Sequence, residues 1–569
     1  MMTGRLFGVA ALALTLANVA TAQDARTVVA NATKAMGYGD LNTIEYSGPL
    51  AYEGAGIGQW QGPATGWHQQ TLRNYTRFID IAAGTSQRTG TQSRPGDPAT
   101  GLLPGGGGLD PSNSESPNTC TVAATGAWSS RFDVTLSPPA FLRMAAAASD
   151  LTARAQTVGG KRFTVVSFST DQKAPSGVAY RLSGYIDDQN MLDKVETGYE
   201  DSAPFLIGDI LVEQTFSGYK TFGAVKFPTR ITQKRGEVVW NDTMIASVTP
   251  NAPAPAAAGG AACGVGGGGG RGGGAPRGGA APGGGRGAAP GGAGPGGGAP
   301  GAGRGGAPGG GPGAGPGARG GRGNNLAAQG GAGARGGGAA GTPVRKLADG
   351  VFQVGGGYRV LAVEFKDHIV MVDAPQNGIA DFIEQTRQAI PNKPITAVIS
   401  THNHFDHSGG LRVVAAEGAT IVTNEMNKPI FEKWFSNPRT LQASGGGWPD
   451  ALEQSGKKAK FKYVKDKLVM KDETRTVEIY ALKGVLHSQD MMVVYLPREK
   501  IVFQSDAYNP GNPGAPTTGT GQLAFQKLLA SELDRLKLDY NLLVAAHQPS
   551  SGDRDVTKQD LFTAIGRAN

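Results

Sequence analysis

Two kinds of patterning divide the chain. Over residues 24–250 apolar and polar side chains alternate in short runs, and beyond residue 342 solid apolar runs alternate with helical periods. In the first stretch, "YRLSGYIDD" (180–188) and "VKFPTRITQKRGEVVWNDTMIASVTP" (225–250) read as half-buried strands, with Gly, Pro and Asn-Asp marking turns. One helix is expected over "PPAFLRMAAAASDLTARAQ" (138–156), with Pro139 near its first turn. The segment from Gln92 to Thr119 is too rich in Gly, Pro and Ser to predict an ordered element. In the second stretch, "GVFQVGGGYRVLAVEFKDHIVMVDAP" (350–375) gives strands, the last running from Ile369 to Asp373. A helix follows at "GIADFIEQTRQAI" (378–390), then "ITAVIS" (395–400), a short apolar strand of the fully buried kind. That strand runs straight into "THNHFDHSGG", after which "LRVVAAEG" continues as a helix and "ATIVT" as another strand. A strand, a polar loop and a helix in succession is the α/β arrangement that places chemistry on loops leaving strand ends.

Between the two patterned regions almost no apolar side chain is found. Residues 251–342 are nearly all Gly, Ala and Pro with scattered Arg, and they hold about half of the chain's 90 glycines. Such a composition cannot offset the entropy of ordering and predicts a disordered linker, with a root-mean-square span of roughly 50 Å. The segment also explains the charge. Its arginines (Arg271, Arg277, Arg286, Arg304, Arg319, Arg322 and Arg335) have no acidic counterpart, and without them the formal +8 falls to about +1. The basic balance therefore belongs to the linker and defines no basic binding face. Its Arg-Gly-Gly pattern lacks the aromatic residues that stack bases, so nucleic acid is not an expected partner; a small molecule is. Protein partners are left unspecified.

The N-terminus "MMTGRLFGVAALALTLANVATAQ" has a basic residue, an apolar run from Leu6 to Val19 and an Ala20-x-Ala22 pattern. It reads as a secretory signal (1–22) cleaved after Ala22, giving a periplasmic or secreted protein with no further membrane-spanning segment. The expected organisation is thus a signal peptide, a β-rich α+β domain over 23–250, the linker over 251–342 and an α/β domain over 343–569. The two cysteines, Cys120 and Cys263, fit an exported protein but form no metal-ligand spacing. A disulfide between them and two free thiols both remain open. His68, in "TGWHQQ", is alone and reads as a surface or strand-face residue.

The candidate chemistry is concentrated in one loop. The chain has only seven histidines, and His402, His404 and His407 fall within six residues together with Asp406. Side chains at i and i+2 on extended backbone point the same way, and an Asp-His pair just beyond can face a neighbouring position. One loop can in this way supply two metal ions. Three protein ligands and an open position per ion is the pattern of a catalytic metal. Further ligands should lie at other strand ends. His487 in "LKGVLHSQDMMVVYLP", Asp506 after "KIVFQS" and His547 ending "YNLLVAAH" occupy such positions.

The H-x-H-x-D-H loop, the later His-Ser, the Asp after "IVFQS" and the final "AAH" resemble the metallo-β-lactamase-fold superfamily of metallohydrolases, over about residues 343–569. The resemblance implies a four-layer αββα sandwich with a dinuclear site at one edge, with two Zn2+ as the expected cofactor and iron as the alternative. It implies His402, His404 and His487 on the first metal, Asp406, His407 and His547 on the second, and Asp506 bridging them. Asp373 matches the first motif of the family and would orient the ligand loop, the other reading being a simple strand-end cap. Asp406 would be catalytic, orienting the attacking water and moving its proton. Asp506 resembles the bridging residue of glyoxalase II-like members, where class B β-lactamases have Cys or Ser. The additional C-terminal helical region of glyoxalase II has no counterpart, and Ser505-Asp506 and Ala546-His547-Gln548 depart from the usual G-D and G-H-G. The expected function is an exported hydrolase acting on an ester, lactone, thioester, amide or phosphoester. The alternatives are a β-lactamase, an iron-dependent persulfide oxygenase of the same fold, and a ligand carrier with an accessory metal domain. The last rests on "YKTFGAVKFPTRITQ", which resembles the periplasmic lipoprotein-carrier type of half-barrel. Ala507–Gly521 is expected to border the pocket. Trp448 and Tyr508 are candidate substrate contacts, with packing as the competing role.

Overall fold

A computed structural model describes residues 24–54, 69–93, 115–200, 206–236, 238–256, 261–263, 344–376, 378–441, 450–484, 487–518 and 520–568. The expected signal peptide, His68, Trp448 and most of the expected linker lie outside these residues. The first region is a 13-stranded, largely antiparallel sheet whose inward positions pack on helices. Helical residues 24–36 bury Ala25, Val29, Ala32 and Met36, the spacing of one helical face. A second helix, Pro138–Ala147, buries Phe141, Leu142 and Ala145.

The expected helix over 138–156 is shorter than its sequence. It ends at Ala147, and Thr152–Val158 forms a strand paired with Lys161–Lys173. Gly159 and Gly160, both at positive φ, close that hairpin, and the resulting ladder outweighs the helix propensity of the alanines. Asn241-Asp242 is likewise no turn. It lies within the Val238–Met244 strand, where Asp242 accepts two hydrogen bonds from Arg230 on the next strand. Ends of the Gln92–Thr119 segment are strand too, in Thr85–Ser93 and Glu115–Val122. Cys120 and Cys263 form a disulfide across 143 positions, beside a short parallel pairing of Ala261–Ala262 with the Cys120 strand. Asn251 is also held on the first domain, since its Oδ1 accepts from Asn42 N–H at 2.8 Å.

Residues 344–568 form an α/β sandwich. A seven-stranded sheet runs in order from Arg345–Ala348 to Lys460–Val464, and a five-stranded sheet runs from Lys467–Lys471 to Leu542–Ala545. The facing sides share a core of Val351, Val363, Val372, Ile399, Val494 and Phe503. The helices Ile379–Ala389 and Leu411–Glu417 cover the outer side of the first sheet. Thr520–Arg535 and Lys558–Ala564 cover the second, burying Leu529, Leu533 and Leu561. The strand ends that carry chemistry meet at one edge of this sandwich.

The two regions touch. Asp209 at the start of a first-domain strand accepts from Thr440 N–H (2.7 Å), Thr440 Oγ1 (2.8 Å) and Leu441 N–H (3.2 Å). Asn437 Nδ2 donates to Ile207 O and Arg439 Nη2 to Leu206 O, each at 2.7 Å.

Candidate metal centre

The strand Ile395–Ile399 lies between two parallel neighbours and delivers Ser400 and Thr401 to the sandwich edge. From there the ligand loop turns into a one-turn helix, Phe405–Ser408, and then meets Gly409-Gly410. A Cβ on Gly410 would stand 2.8 Å from Ile379 Cβ and from Pro375 O. Only glycine lets the loop pass so close to the segment after Asp373. Gly410 N–H donates to Ala374 O and Ala374 N–H to His407 O, closing the loop against that segment.

All seven predicted ligands converge. His402, His404, His487 and Asp506 form one four-donor group, and Asp406, His407, Asp506 and His547 form another, with donor atoms in each within 4.8 Å of one another. Asp506 belongs to both. Its Oδ2 lies 2.9 Å from His487 Nε2 and 3.8 Å from His402 Nε2, while its Oδ1 lies 2.6 Å from His547 Nε2 and 3.1 Å from His407 Nε2. Asp406 Oδ2 stands 3.6 Å from His407 Nε2 and 3.7 Å from His547 Nε2. The Asp406 and His547 side chains retain 16% and 26% exposure, whereas those of His402 and His487 retain 0% and 2%. The site therefore opens on the Asp406–His547 side.

Electrostatics acts on these donors in both directions. Burial, reinforced by the neighbouring His407 and His404 rings, holds His402 well below the ordinary imidazole pKa, so its nitrogen lone pair is available. Burial would raise Asp506, but His407, His547 and His487 outweigh it and keep the carboxylate ionised. Burial opposes a charge on His407, and the Asp506, Asp406 and Asp373 carboxylates reverse that and raise its pKa.

The residues fit a divalent metal. His402 Nε2 and Asp406 Oδ1 are buried and have no hydrogen-bond partner, a costly condition that a bound cation would relieve. The donor set of imidazoles and carboxylates suits zinc and iron alike.

Asp373 supports the loop from behind. It is 1% exposed; its Oδ1 accepts from Thr401 N–H at 2.8 Å, and its Oδ2 accepts from His407 Nδ1 at 2.9 Å. Asp490 does the same from the other sheet and was not singled out from the sequence. Its Oδ2 accepts from Asn403 N–H and Asn427 Nδ2, each at 2.7 Å, and its Oδ1 from Asn403 Nδ2 at 3.0 Å. The signal was a lone carboxylate entering the apolar run "MMVVYLP", three residues after His487. Tyr358, also unpredicted, sets its ring 5.1 Å from that of His547, and its backbone forms an isolated antiparallel bridge with His547. Phe525 faces His487 with ring centroids 6.2 Å apart. Tyr508 is a packing residue, 2% exposed and pinned by backbone bonds to Gln504. The loop after Asp506 is tied to the segment after His547, through Ser550 N–H donating to Pro510 O.

Residues 357–547 match the family model of the metallo-beta-lactamase superfamily. The C-terminal domain belongs to that superfamily. A curated relative, 2,4-dinitroanisole O-demethylase subunit alpha of Nocardioides sp. (strain JS1661), is 23% identical over 207 residues, which are 35% of this chain and 54% of that protein. The chain thus spans about half the length of this relative. Among solved structures, a metallo-beta-lactamase from Pontibacter korlensis is 19% identical, covering 39% of this chain and 96% of that one with a TM-score of 0.29. The flavodiiron protein from Giardia intestinalis is 16% identical, covering 40% and 58% with a TM-score of 0.29. The superfamily includes hydrolases and oxidoreductases, so membership leaves the reaction open, and the candidate His/Asp donors are those that suit a divalent metal.

Proposed function

We propose that the chain is an exported metal-dependent hydrolase in which His402, His404 and His487 would hold one ion and Asp406, His407 and His547 a second, with Asp506 common to both donor groups. The observation that carries this reading is the pair of four-donor groups sharing Asp506. Two zinc ions held there supply a lowered pKa for water and a positive field at the substrate oxygen that gains charge. The rest is done by side chains. Asp406, on the open side with Oδ1 unpartnered, accepts a proton from the attacking water as its oxygen bonds to the carbonyl carbon or phosphorus. When the bond to the leaving group breaks, the same proton passes from Asp406 to the departing oxygen, nitrogen or sulfur. Asp373 and Asp490 keep the loop in register, and Tyr358 packs beside His547 on the open side.

Export is supported by the Cys120–Cys263 disulfide, which persists in oxidising compartments, together with the signal-like N-terminus and its expected cleavage after Ala22. No helix among the described residues is long and apolar enough to cross a membrane.

Elemental mass spectrometry on the full-length protein tests the metal set. About two zincs per chain are expected, falling in H402A. A panel of esters, lactones, thioesters, phosphodiesters, β-lactams and 2,4-dinitroanisole (the compound named for the curated relative) should give turnover that D406A lowers by a factor of about 100 or more. Unchanged metal content and turnover in both variants would sink the assignment. One iron per chain without zinc would replace hydrolysis by oxygen chemistry.

A further inference from the structure

Arg235 ends a first-domain strand facing inward and is only 6% exposed. Its guanidinium is boxed by three rings, with Trp240 at 4.7 Å and Phe132 and Tyr199 each at 5.4 Å. One edge of the group is fixed from behind by a relay of buried amides. Arg235 Nε donates to Gln233 Oε1 at 3.0 Å, Gln233 Nε2 to Gln214 Oε1 at 2.9 Å, and Gln214 Nε2 to Leu136 O at 3.2 Å. The two terminal nitrogens carry no hydrogen bond, are not sealed from solvent, and meet no carboxylate among the described residues.

The other buried guanidiniums nearby are matched. Arg77 pairs with Asp133, and Arg88 pairs with Glu53. Arg235 has no such acidic partner among the described residues. A buried cation without a counter-ion is costly, and here three side chains hold it with its fork free. A guanidinium fork fits the two oxygens of a carboxylate or phosphate, and the buried rings hold it at a fixed angle.

From this placement we propose that the first domain binds an organic oxyanion, a carboxylate or phosphate monoester, with its head seated on the terminal nitrogens of Arg235. The seat lies outside the metal centre and does not depend on the hydrolase reading. It shares an end of the sheet with the domain junction. Arg235 pairs with Val212 in register, and Asp209, three residues earlier on that strand, accepts the bonds from Thr440 and Leu441.

Calorimetric titration of the full-length protein with benzoate, phenyl phosphate and inorganic phosphate tests the proposal, with tryptophan fluorescence read in parallel because Trp240 lines the seat. Saturable binding of at least one organic probe is expected, weakened about tenfold or more in R235M and in R235K, which keeps the charge but loses the fork. Tighter binding of benzoate identifies a carboxylate ligand and tighter binding of phenyl phosphate a phosphate ligand. W240F should retain the heat and lose the main fluorescence change. Should R235M fail to fold, the wild-type titration and R235K carry the test. No saturable heat from any probe up to about 10 mM, or equal binding in R235K and wild type, overturns the proposal.

Discussion

Asp373 meets two demands at once. It stands at the end of a strand with φ of +66°, a conformation few non-glycine residues adopt, and its carboxylate bonds both Thr401 N–H and His407. Asparagine tolerates the backbone and loses the charge; alanine loses both. D373N is therefore expected to fold with little loss of stability and to bind metal about 10- to 100-fold more weakly in a chelator competition, while D373A weakens both. Metal affinity equal to wild type in D373N would reduce the residue to a strand-end cap. At this scale the sequence was most informative for the donors themselves, because three imidazoles in six residues have no ordinary packing explanation. It was least informative for Asp490, whose single carboxylate gains meaning only from Asn403 and Asn427, distant in sequence.

Gly410 and Glu532 show how whole elements aim the donors. The helix Leu411–Glu417 must start close to Ile379, and G410A puts a methyl group into that contact. The expected cost is about 1–3 kcal/mol, read as a lower urea midpoint at unchanged slope. On the helix Thr520–Arg535, Glu532 Oε2 accepts from Lys483 N–H at 2.8 Å, bracing the turn that leads to His487. Burial would raise its pKa, but Arg535 and the Lys483 N–H hold it below the ordinary 4.5. Its contribution is thus present above that ordinary value and lost as pH falls through the lower folded one. E532Q should be about 1 kcal/mol less stable at pH 7, and thermal melts of the two proteins should converge as pH falls below the ordinary carboxylate range. A gap that persists at low pH would place the effect in packing. The strands Ile369–Val372, Ile395–Ile399 and Thr420–Asn424 and the helices Ile379–Ala389 and Leu411–Glu417 were legible because each is a single apolar run or a single helical period, whereas the polar-alternating strands Lys460–Val464 and Lys467–Lys471 were not read. The segment 138–156 was not, since alanines carry no pattern that separates the end of a helix from the start of a hairpin strand.

The junction between the regions could not be read from the sequence at all. Its partners lie about 230 positions apart, and most of its bonds end on backbone atoms. Asp209 is the exception, receiving three of them. D209A should loosen the junction, giving a larger radius of gyration in small-angle scattering and faster amide exchange at residues 438–441. No change in either would make the contact dispensable. The junction also reaches the metal centre through side chains. Arg412, two residues past Gly410, pairs with Asp450, which also takes Arg439 Nε at 2.9 Å, and Arg439 in turn holds Leu206 O. Thermodynamic reciprocity constrains this connection: whatever factor docking of the two regions contributes to metal affinity, metal loading must return to the docking equilibrium. A change in one quantity therefore measures the other without a probe at the second place.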